Sequence, residues 1–443
     1  MEITLDELLL FRERRAVKQR EMLDKRKAPL VSFTMNIPGP EKTSPLVERA
    51  FDLGACLIRE TLGEVDIAEE YEKHSKCGPV LILSVNADAE KLKKSFTKIE
   101  DDHPIGRLFD IDVIDPSGAH LSRGSERGCI VCGAPGRACA RSRRHPVEEL
   151  VAITNKIMRD FFLDADVKRI VAMARDSLLS EVYTTPKPGL VDTENSGSHS
   201  DMSVRDFERS AESLLPYFED CLMAGFASKN NPELTPFQAL RELGLNAEKR
   251  MYEATLGKNT HKGAIFSFGI ILGAVGRLMT LDATLPNPSD ILSEAKRISR
   301  PHLEKDISEF VGKTAGERAY IERGVRGIRG EAMDGFPTLS DIAIPVYKSA
   351  IASGKNENDA GVITLLHLIA NVYDTCLYKR GGDDGVVYAS SYAKTLISSN
   401  EISLDTVRKM NADFVERNLS PGGCADLLAL TYFLTSLEDE NTK

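Results

Sequence analysis

The stretch VKRIVAMARDSLLSEV at 167–182 decides how this chain folds, because its apolar residues recur every three or four positions. That spacing places them on one face of an amphipathic helix. Strand-like alternation is nearly absent after about residue 165, and further helical patterns follow at 204–225, 366–378 and 425–439. The sequence therefore predicts an all-α domain over 166–443.

The residues before that stretch alternate between two kinds of pattern. Apolar runs typical of strands occur at 31–37, at 79–85 and in the second half of 103–113. Amphipathic patterns typical of helices occur near 4–27, 45–62 and 87–99. We therefore expect an α+β domain over 1–165, with its boundary between Asp160 and Asp166, inside or just after a helix that begins near Pro146.

Composition limits the class of protein. The chain has 443 residues, too many for one ordinary core, and its 42% hydrophobic and 28% charged content is that of a soluble globular protein. A net charge of −10 argues against nucleic acid as the main partner. Eight cysteines in so long a chain do not form a disulfide framework, and the N-terminus lacks the features of a secretory signal. We expect a cytoplasmic protein.

One long apolar stretch raises the question of a membrane span. GAIFSFGIILGAVGRLM at 263–279 has no charge before Arg277, so its apolar part is shorter than the roughly 20 residues needed to cross a bilayer. We predict a buried core helix, whose small residues let neighbouring helices approach closely. No membrane partner is expected.

The C-terminal half carries two loop motifs that combine turn formers with reactive groups. They are TPKPGLVD at 185–192, continued by SHSDM at 198–202, and NTHKG at 259–263. Proline fixes φ and glycine permits close backbone approach, so these loops can hold side chains rigidly. The side chains concerned are carboxylates for Mg²⁺ or base catalysis and cations for phosphate: Glu181, Lys187, Asp192, His199, Asp201, Lys258, His261 and Lys262.

Two further glycine-rich segments follow. KRGGDDG at 379–385 predicts another glycine turn, with Arg380, Gly381 and Gly382 as phosphate contacts. SPGGCADLLA at 420–429 places glycines at the start of a helix, where free amides bind anions but where an ordinary helix cap is equally expected.

In the N-terminal half, RLFDIDV at 107–113 places two carboxylates on one side of a predicted strand. Side chains alternate faces along a strand, so Asp110 and Asp112 lie together and can bind Mg²⁺. A solvated strand face is the alternative. The preceding Arg107 can bind a phosphate group bidentately.

A cysteine-rich segment comes next. Cys129, Cys132, Cys139 and His145 have the spacing C-x₂-C-x₆-C-x₅-H, which can form a tetrahedral zinc site, although a second closely spaced cysteine pair is missing. Reduced structural thiols are the alternative. The arginines around them form the one strongly basic patch in the sequence, suited to a phosphate-rich cofactor or an acidic protein.

Together these motifs carry a resemblance. TPKPGLVD, SHSDM, NTHKGAIFSFG, RGG and SPGGCADLLA resemble the triphosphoribosyl-dephospho-CoA synthase family over about 166–443. FTMNIPGPEK, HPIGRLFDIDV and the cysteine segment are similar to the citrate lyase holo-acyl-carrier-protein synthase family over the first 165 residues. A nucleotidyltransferase fold is a candidate for that domain, although the Gly-Ser turn that precedes Asp-x-Asp in that superfamily is absent.

The resemblance implies two transferase reactions. The C-terminal domain would join the triphosphoribosyl group of ATP to the 2′-hydroxyl of 3′-dephospho-CoA and release adenine. The N-terminal domain would transfer the phosphoribosyl-dephospho-CoA unit to a serine of the citrate lyase acyl carrier protein and release pyrophosphate.

The resemblance also implies roles for residues. Asp192 or Asp201 would act as catalytic carboxylate with His199 assisting, while His261, Lys187, Lys262 and Arg380 would bind the triphosphate. Asp110 and Asp112 would hold Mg²⁺, and Arg107 would bind phosphate oxygens.

Two alternatives stay open from the sequence. The same chemistry can serve the acyl carrier protein of malonate decarboxylase, which carries the same prosthetic group. The cysteines and arginines of 123–145 also fit a zinc-containing nucleic-acid-binding protein, although the acidic chain and the lack of aromatic residues in that segment argue against it.

Overall fold

The computed structural model describes residues 2–231, 235–313, 315–399 and 402–441. It divides the chain into two compact units. The first comprises Met1–Asp166 with Leu281–Ala283, and the second comprises Val167–Thr280 with Thr284–Lys443.

The first unit combines helices with one sheet, as the predicted α+β fold class requires. Its helices are α1 (Leu5–Arg26), α2 (Pro45–Leu62), α3 (Ala89–Asp102) and α4 (Gly136–Ser142). Its strands are β1 (Leu30–Met35), β2 (Ile67–Lys73), β3 (Val80–Val85) and β4 (Phe109–Ile114). Helix α5 (Val147–Tyr183) begins in this unit and ends in the second.

The second unit is helical throughout its described residues, so the predicted fold class is confirmed in both halves. Its helices are α6 (Val204–Ser213), α7 (Leu215–Ser228), α8 (Phe237–Ala254), α9 (Lys262–Leu278), α10 (Pro288–Ser308), α11 (Ala315–Arg323), α12 (Gly327–Asp334), α13 (Ile344–Ala352), α14 (Glu357–Asn371), α15 (Thr375–Ser398), α16 (Leu404–Glu416) and α17 (Gly422–Glu440).

The sheet has the order β2-β3-β1-β4, and every neighbouring pair of strands is antiparallel. In the register of β1 with β4, Asp110 lies opposite Thr34 and Asp112 lies opposite Ser32. Directly opposed residues point to the same face of a sheet, so both carboxylates lie on one face. The fold therefore presents Asp110 and Asp112 side by side at an edge strand.

The opposite face of the sheet carries the main core of the first unit. Phe33 of β1 stacks on Phe51 of α2 with ring centroids 4.9 Å apart, and Phe109 of β4 packs edge-on against Phe33 at 5.5 Å. A Cβ at Gly54 would overlap the ring of Phe33, so glycine lets α2 approach the sheet. This packing fixes β4 and the two aspartates that it carries.

Strand β2, with the sequence IAEEYEK, lay outside the predicted strands. It is the other edge strand, and most of its side chains are partly exposed. Its sequence is rich in charged residues and has no continuous apolar run that would predict a strand. Its position in the sheet comes from pairing with the fully buried β3.

Helix α9 is the buried core helix that the sequence predicts for 263–279. Ile265, Phe268 and Leu272 are fully or almost fully buried. A Cβ at Gly276 would overlap the carbonyl oxygen of Leu222 in α7, so the two helices touch backbone to backbone. Small residues therefore set this helix packing, as expected.

Two of the predicted helices were wrong in detail. The pattern at 204–225 is broken at Leu214, where α6 ends and α7 begins with a proline in its first turn. The pattern at 366–378 is broken between α14 and α15, because the Asp374 carboxylate caps α15 through the amides of Cys376 and Leu377.

KRGGDDG, where the sequence predicts a glycine turn, lies within the bounds of α15. Gly382, with φ of 62° and ψ of −162°, is non-helical and kinks α15 into two helical parts there.

Within the described residues, no single helix has the length and apolar character to cross a membrane. One bent pair, α14 with α15, meets those criteria jointly across a bend of 57°.

Candidate active sites

The first unit contains a cleft of about 1190 Å³ beside the edge strand β4. Asp110 and Asp112 line it, so the two carboxylates that the sequence singled out lie together at a cavity. The opposite wall comes from the segment between β4 and α5. The arginines lining the cleft are Arg107, Arg123, Arg127, Arg137 and Arg143.

Helix α3 fixes the free edge of β4 through Glu100. The backbone amide of Ile111 donates to Glu100 Oε1 at 2.9 Å, and Arg127 Nη2 lies 2.6 Å from the same oxygen. Arg127 Nη1 also donates to the carbonyl of Phe109 at 2.8 Å. Lys93 Nζ donates to the carbonyl of Ile111 at 2.8 Å. An edge strand that would otherwise offer unpaired backbone groups is thus held by charged side chains.

Charge is crowded on both sides of this cleft. Partial burial raises the pKa of Asp110, and the negative charges of Asp112 and Glu100 raise it further. Burial lowers the pKa of Arg107, and the nearby charges of Arg127 and Arg123 lower it further. A set of carboxylates and a set of arginines line the same cavity, which suits a cation at the aspartates and an anion at the arginines.

The sequence predicts that Arg107 binds phosphate. In the structure its Nη2 donates to the backbone carbonyl of Gly128, a contact within the protein. Arg123 and Arg127 join it at the cleft. The sequence marked these two only as part of a basic patch, since arginine spacing in a loop does not tell which side chains converge.

The four zinc candidates come together in the same segment. The sulfur atoms of Cys129, Cys132 and Cys139 and one ring nitrogen of His145 all lie within 4.8 Å of one another. The neighbouring imidazole of His145 lowers the pKa of Cys132 to about 6.

The second unit contains a smaller cavity of about 360 Å³, which we call the helical pocket. Four separate segments line it, and they include the loop motifs at 185–202 and 259–263. Seven residues that the sequence singled out for catalysis or phosphate binding lie at this pocket: Glu181, Lys187, His199, Asp201, His261, Lys262 and Arg380. Lys379 and Asp426 line it as well.

Asp192 lies outside the lining of the pocket. Its carboxylate is buried and accepts the backbone amides of Lys187 at 2.8 Å and of Glu194 and Asn195 at 2.9 Å each. These bonds close the TPKPGLVD loop, in the manner of an Asx turn. The structure thus gives Asp192 a role in shaping the loop, and the pattern Gly-x-x-Asp had indicated only that a carboxylate stands there.

Gly381 and Gly382 also lie outside the lining of the pocket. A Cβ at Gly381 would approach the Leu419 side chain to 2.7 Å, so this glycine serves packing of α15. Lys258 pairs with Asp206, at 2.9 Å between Nζ and Oδ2, instead of facing the pocket.

Lys187 and Glu181 form a buried ion pair at the wall of the pocket. The lysine side chain is 1% exposed, and its Nζ donates both to the Glu181 carboxylate and, at 2.6 Å, to the Glu181 carbonyl. Burying two charges is costly unless they are paired and hydrogen-bonded, as they are here. The pair fixes a cation beside the pocket in one geometry.

Both histidines at the pocket are neutral near physiological pH. Burial, with a smaller contribution from the charge of Lys187, lowers the pKa of His261 to about 3. Burial and the charge of Arg380 lower the pKa of His199 to about 4. Arg380 Nη2 donates to His199 Nδ1 at 3.0 Å, which leaves Nε2 to donate to Ser420 Oγ at 2.9 Å.

His261 keeps one nitrogen available. Its Nδ1 lies 2.7 Å from Ser210 Oγ, while the buried Nε2 has no hydrogen-bond partner in the described part of the chain. Buried polar atoms are nearly always paired, so an unpaired one at a cavity wall indicates a group that meets a ligand.

Asp426, in the first turns of α17, is the acidic residue that sequence reasoning missed. Burial raises its pKa well above the usual range, and the charges of Glu181 and Asp374 add to this, while the amide of Ala264 stabilises its charged form. A Cβ at Gly263 would overlap Asp426 Oδ2, so NTHKG needs its glycine because this carboxylate lies against α9. The glycines of SPGGCADLLA fit an anion site, and Asp426 in the same segment was the residue that could have been identified.

Comparison with known proteins gives a match for each unit. Residues 3–161 match the family model described as CitX, apo-citrate lyase phosphoribosyl-dephospho-CoA transferase. Residues 167–443 match the family model described as CitG, ATP:dephospho-CoA triphosphoribosyl transferase.

Curated relatives match over nearly the whole chain. Protein CitXG of Haemophilus influenzae is 32% identical over 453 residues, which cover 98% of this chain and 96% of the relative. Protein CitXG of Leuconostoc mesenteroides is also 32% identical, over 93% of this chain and 92% of the relative. The 2-(5''-triphosphoribosyl)-3'-dephosphocoenzyme-A synthase of Haemophilus ducreyi is 35% identical over 69% of this chain and 99% of its own length.

Proposed function

Because this chain belongs to the CitXG family, we propose that its two cavities divide the two reactions of a bifunctional transferase. One reaction makes triphosphoribosyl-dephospho-CoA, and the other transfers phosphoribosyl-dephospho-CoA to apo-citrate lyase. The helical pocket carries out the synthesis from ATP and dephospho-CoA. The cleft beside β4 carries out the transfer. The eight cysteines, none of them in a disulfide, support a reducing cytoplasm as the location.

In the helical pocket, two carboxylates in different environments take the two proton-transfer roles. The 2′-hydroxyl of dephospho-CoA attacks C1′ of the ATP ribose, the bond from C1′ to the adenine nitrogen breaks, and a C1′–O bond forms. Asp426, kept protonated by burial, donates its proton to the leaving adenine. Asp201, which is exposed at the pocket, accepts the proton of the 2′-hydroxyl. Carboxylates whose surroundings separate their pKa values commonly divide acid and base roles in this way.

The cations of the pocket bind the triphosphate. Lys187 is fixed by Glu181. Lys262, which pairs with Glu248 at 2.7 Å, and Lys379 are exposed at the lining. Arg380 is held by His199 and by the carbonyl of Ser198 at 2.8 Å. His261 offers its unpaired Nε2 to the substrate as a neutral hydrogen-bond partner.

In the cleft, Asp110 and Asp112 would hold Mg²⁺. The residues fit this ion, because the two carboxylates share one face of β4. The pKa of Asp110 is raised by burial and then by its acidic neighbours, and a divalent cation relieves the repulsion between the carboxylates. When bound, Mg²⁺ neutralises charge on the phosphate oxygens. The arginine side of the cleft stabilises the negative charge on the leaving pyrophosphate.

The transfer itself forms one bond and breaks one. The serine oxygen of the citrate lyase acyl carrier protein attacks the phosphorus nearest the ribose, and pyrophosphate leaves. The serine proton passes to a cleft carboxylate. An open cleft of about 1190 Å³ suits this step, since a protein loop and a large nucleotide must enter together.

The observation that carries the proposal is the convergence of separate motifs on two cavities, one in each matched segment. The test is to supply ATP, Mg²⁺ and 3′-dephospho-CoA, measure free adenine, then add apo acyl carrier protein and weigh it. Adenine release and a mass gain of one phosphoribosyl-dephospho-CoA unit are expected.

A variant separates the two sites. Asp110→Asn should leave adenine release unchanged and reduce transfer about a thousandfold, because the ion site loses one charge. Asp102→Asn, at the exposed end of α3, is the matched control and should affect neither reaction. Equal loss of both reactions in Asp110→Asn would contradict the division between cavities.

A further inference from the structure

The cluster of Cys129, Cys132, Cys139 and His145 has the dimensions of a tetrahedral metal site. Its four candidate ligand atoms lie within 4.8 Å of one another, and the sulfur atoms of Cys132 and Cys139 are 3.5 Å apart. Zinc–sulfur bonds of about 2.3 Å in a tetrahedron separate ligand atoms by about 3.8 Å. The cluster therefore needs only sub-ångström to ångström shifts to close around one ion.

The backbone brings these residues together in two steps. A tight hairpin presents Cys129 and Cys132: the amide of Cys129 donates to Ala134 O at 2.6 Å, the amide of Gly133 donates to Cys129 O at 2.9 Å, and Gly133 has φ of 71°. Helix α4 then supplies Cys139 from its buried side.

The chain returns to the cluster after α4 through a residue in an uncommon conformation. Arg143 ends the helix with φ of 47°, a left-handed conformation rare outside glycine. The amide of Arg144 donates to Cys139 O at 3.2 Å, and His145 follows immediately. This left-handed cap ends α4 and brings His145 back towards the three thiols.

The surroundings of the cluster match those of bound metals. A metal-binding histidine usually donates its other ring N–H to a carboxylate, a backbone carbonyl or water. His145 Nδ1 lies 3.2 Å from Glu149 Oε2. That contact leaves Nε2, which is buried and without a hydrogen-bond partner in the described residues. The amide of Val131 points at Cys129 Sγ, at 3.5 Å, as amides do towards metal-bound thiolates.

We propose that these four residues bind one Zn²⁺ as a closed structural site. Three soft thiolates and one imidazole in tetrahedral arrangement select zinc over magnesium or calcium, and four protein ligands leave no position for substrate. Binding releases the thiol protons to solvent, so affinity falls on acidification.

The site has a consequence for the cleft. Apart from the seven-residue α4, the segment from β4 to α5 has no helix or strand, yet it supplies Arg123, Arg127, Arg137 and Arg143 to the cleft wall. A metal that ties both ends of the cysteine segment fixes that wall. This consequence, unlike the metal site itself, rests on the proposed role of the cleft in transfer.

The first test measures metal directly. The untagged full-length protein, expressed with zinc in the medium and purified without chelator, should contain about one zinc per chain by mass spectrometry of the metal. Cys132→Ser, at an exposed position, should lose most of it. Cys56→Ser, an exposed thiol of α2 outside the cluster, is the matched control and should keep it. A wild-type protein without zinc, or Cys132→Ser with full zinc, would overturn the proposal.

Cobalt gives a second readout that does not depend on a folded variant. Wild-type protein reconstituted with Co²⁺ should show thiolate-to-cobalt charge-transfer bands and the intense visible bands of tetrahedral coordination. An octahedral cobalt spectrum would contradict a Cys₃His site.

Activity then tests the consequence for the cleft. Zinc-depleted protein should keep adenine release and lose transfer at least tenfold, with recovery on adding one equivalent of Zn²⁺. If zinc is bound but transfer survives its removal, the metal site stands and its link to the cleft fails. If neither reaction occurs in zinc-loaded protein, the proposed function fails while the metal content still decides the site.

Discussion

The two cavities differ in size and in the side chains that line them. The helical pocket is about 360 Å³, and its wall includes the buried ion pair of Lys187 with Glu181. The cleft of the first unit is about three times larger, at about 1190 Å³, and five arginines line it. A small pocket favours rigid positioning of a reacting sugar, whereas a large cleft favours entry of a protein acceptor.

The difference lies in where precision is needed. Breaking a glycosidic bond requires acid and base within hydrogen-bond reach of a small reacting centre, so each residue of the helical pocket should matter strongly. Phosphoryl transfer depends on positioning and on charge stabilisation by several groups, so an exposed cation at the cleft should matter less than a buried one. Variants of the two sites can therefore break or sharpen this contrast.

The largest effect is expected from Asp426→Asn. The amide cannot donate a proton to the leaving adenine, so adenine release should fall about a thousandfold, within the range for loss of a general acid. The transfer step, tested with triphosphoribosyl-dephospho-CoA supplied directly, should be unchanged. Asp220→Asn, an exposed carboxylate on α7, is the control. Adenine release within tenfold of wild type in Asp426→Asn would remove this residue from the chemistry.

The next effect tests rigidity through Gly263→Ala. The added methyl group would overlap Asp426 Oδ2, so the carboxylate must move, and adenine release should fall about a hundredfold. Gly244→Ala in α8 is matched in chemistry, but its Cβ meets nothing closer than 3.6 Å and should be tolerated. Equal activity of the two variants would mean that the position of Asp426 is not critical.

Part of this structure can be predicted from the sequence and part of it cannot. Periodicity predicts both fold classes and most helices, because apolar spacing is imposed locally by the helix and strand repeats. It fails at 366–378, where a cap by Asp374 breaks the helix without any change in apolar spacing. Periodicity also misses the polar edge strand β2, because the pairing of β2 with β3 comes from tertiary structure.

The site residues divide in the same way. The loop motifs at 185–202 and 259–263 both contribute to the lining of the helical pocket, and glycine and proline at fixed positions are what mark such loops in a sequence. They do not tell which carboxylate faces inwards. Both Asp192 and Asp426 stand beside glycine motifs, but Asp192 is buried and bound by backbone amides, whereas Asp426 is half-buried and packs on Gly263 at the pocket.

A third prediction concerns stability against acid, and it rests on His261 at the helical pocket. The pKa of His261 is about 3 in the folded chain and about 6.5 in the unfolded chain. Below about pH 6.5 the unfolded chain therefore binds a proton at this histidine, whereas the folded chain does not. Stability is therefore lost as the pH falls. Between about pH 7 and pH 5, this histidine should reduce the free energy of unfolding by about 2 kcal/mol.

The measurement is urea unfolding of wild type and His261→Gln at both pH values. The variant should lose less stability on acidification than wild type, whatever its stability at neutral pH. Identical pH dependence in the two proteins would mean that His261 is protonated in the folded state, and the pocket would then be wetter than its burial indicates.

The smallest effect should come from the open cleft. Arg143→Ala removes one exposed cation from the lining, and an exposed charge contributes at most about 1 kcal/mol, so KM for triphosphoribosyl-dephospho-CoA should rise by up to about fivefold with kcat unchanged. The effect should shrink further with added salt. Arg141→Ala, equally exposed two residues away but outside the cleft lining, should leave KM unchanged. A loss of kcat of a hundredfold or more in Arg143→Ala would mean that the cleft positions its phosphates as rigidly as the pocket does, and the contrast between distributed and local charge would fail.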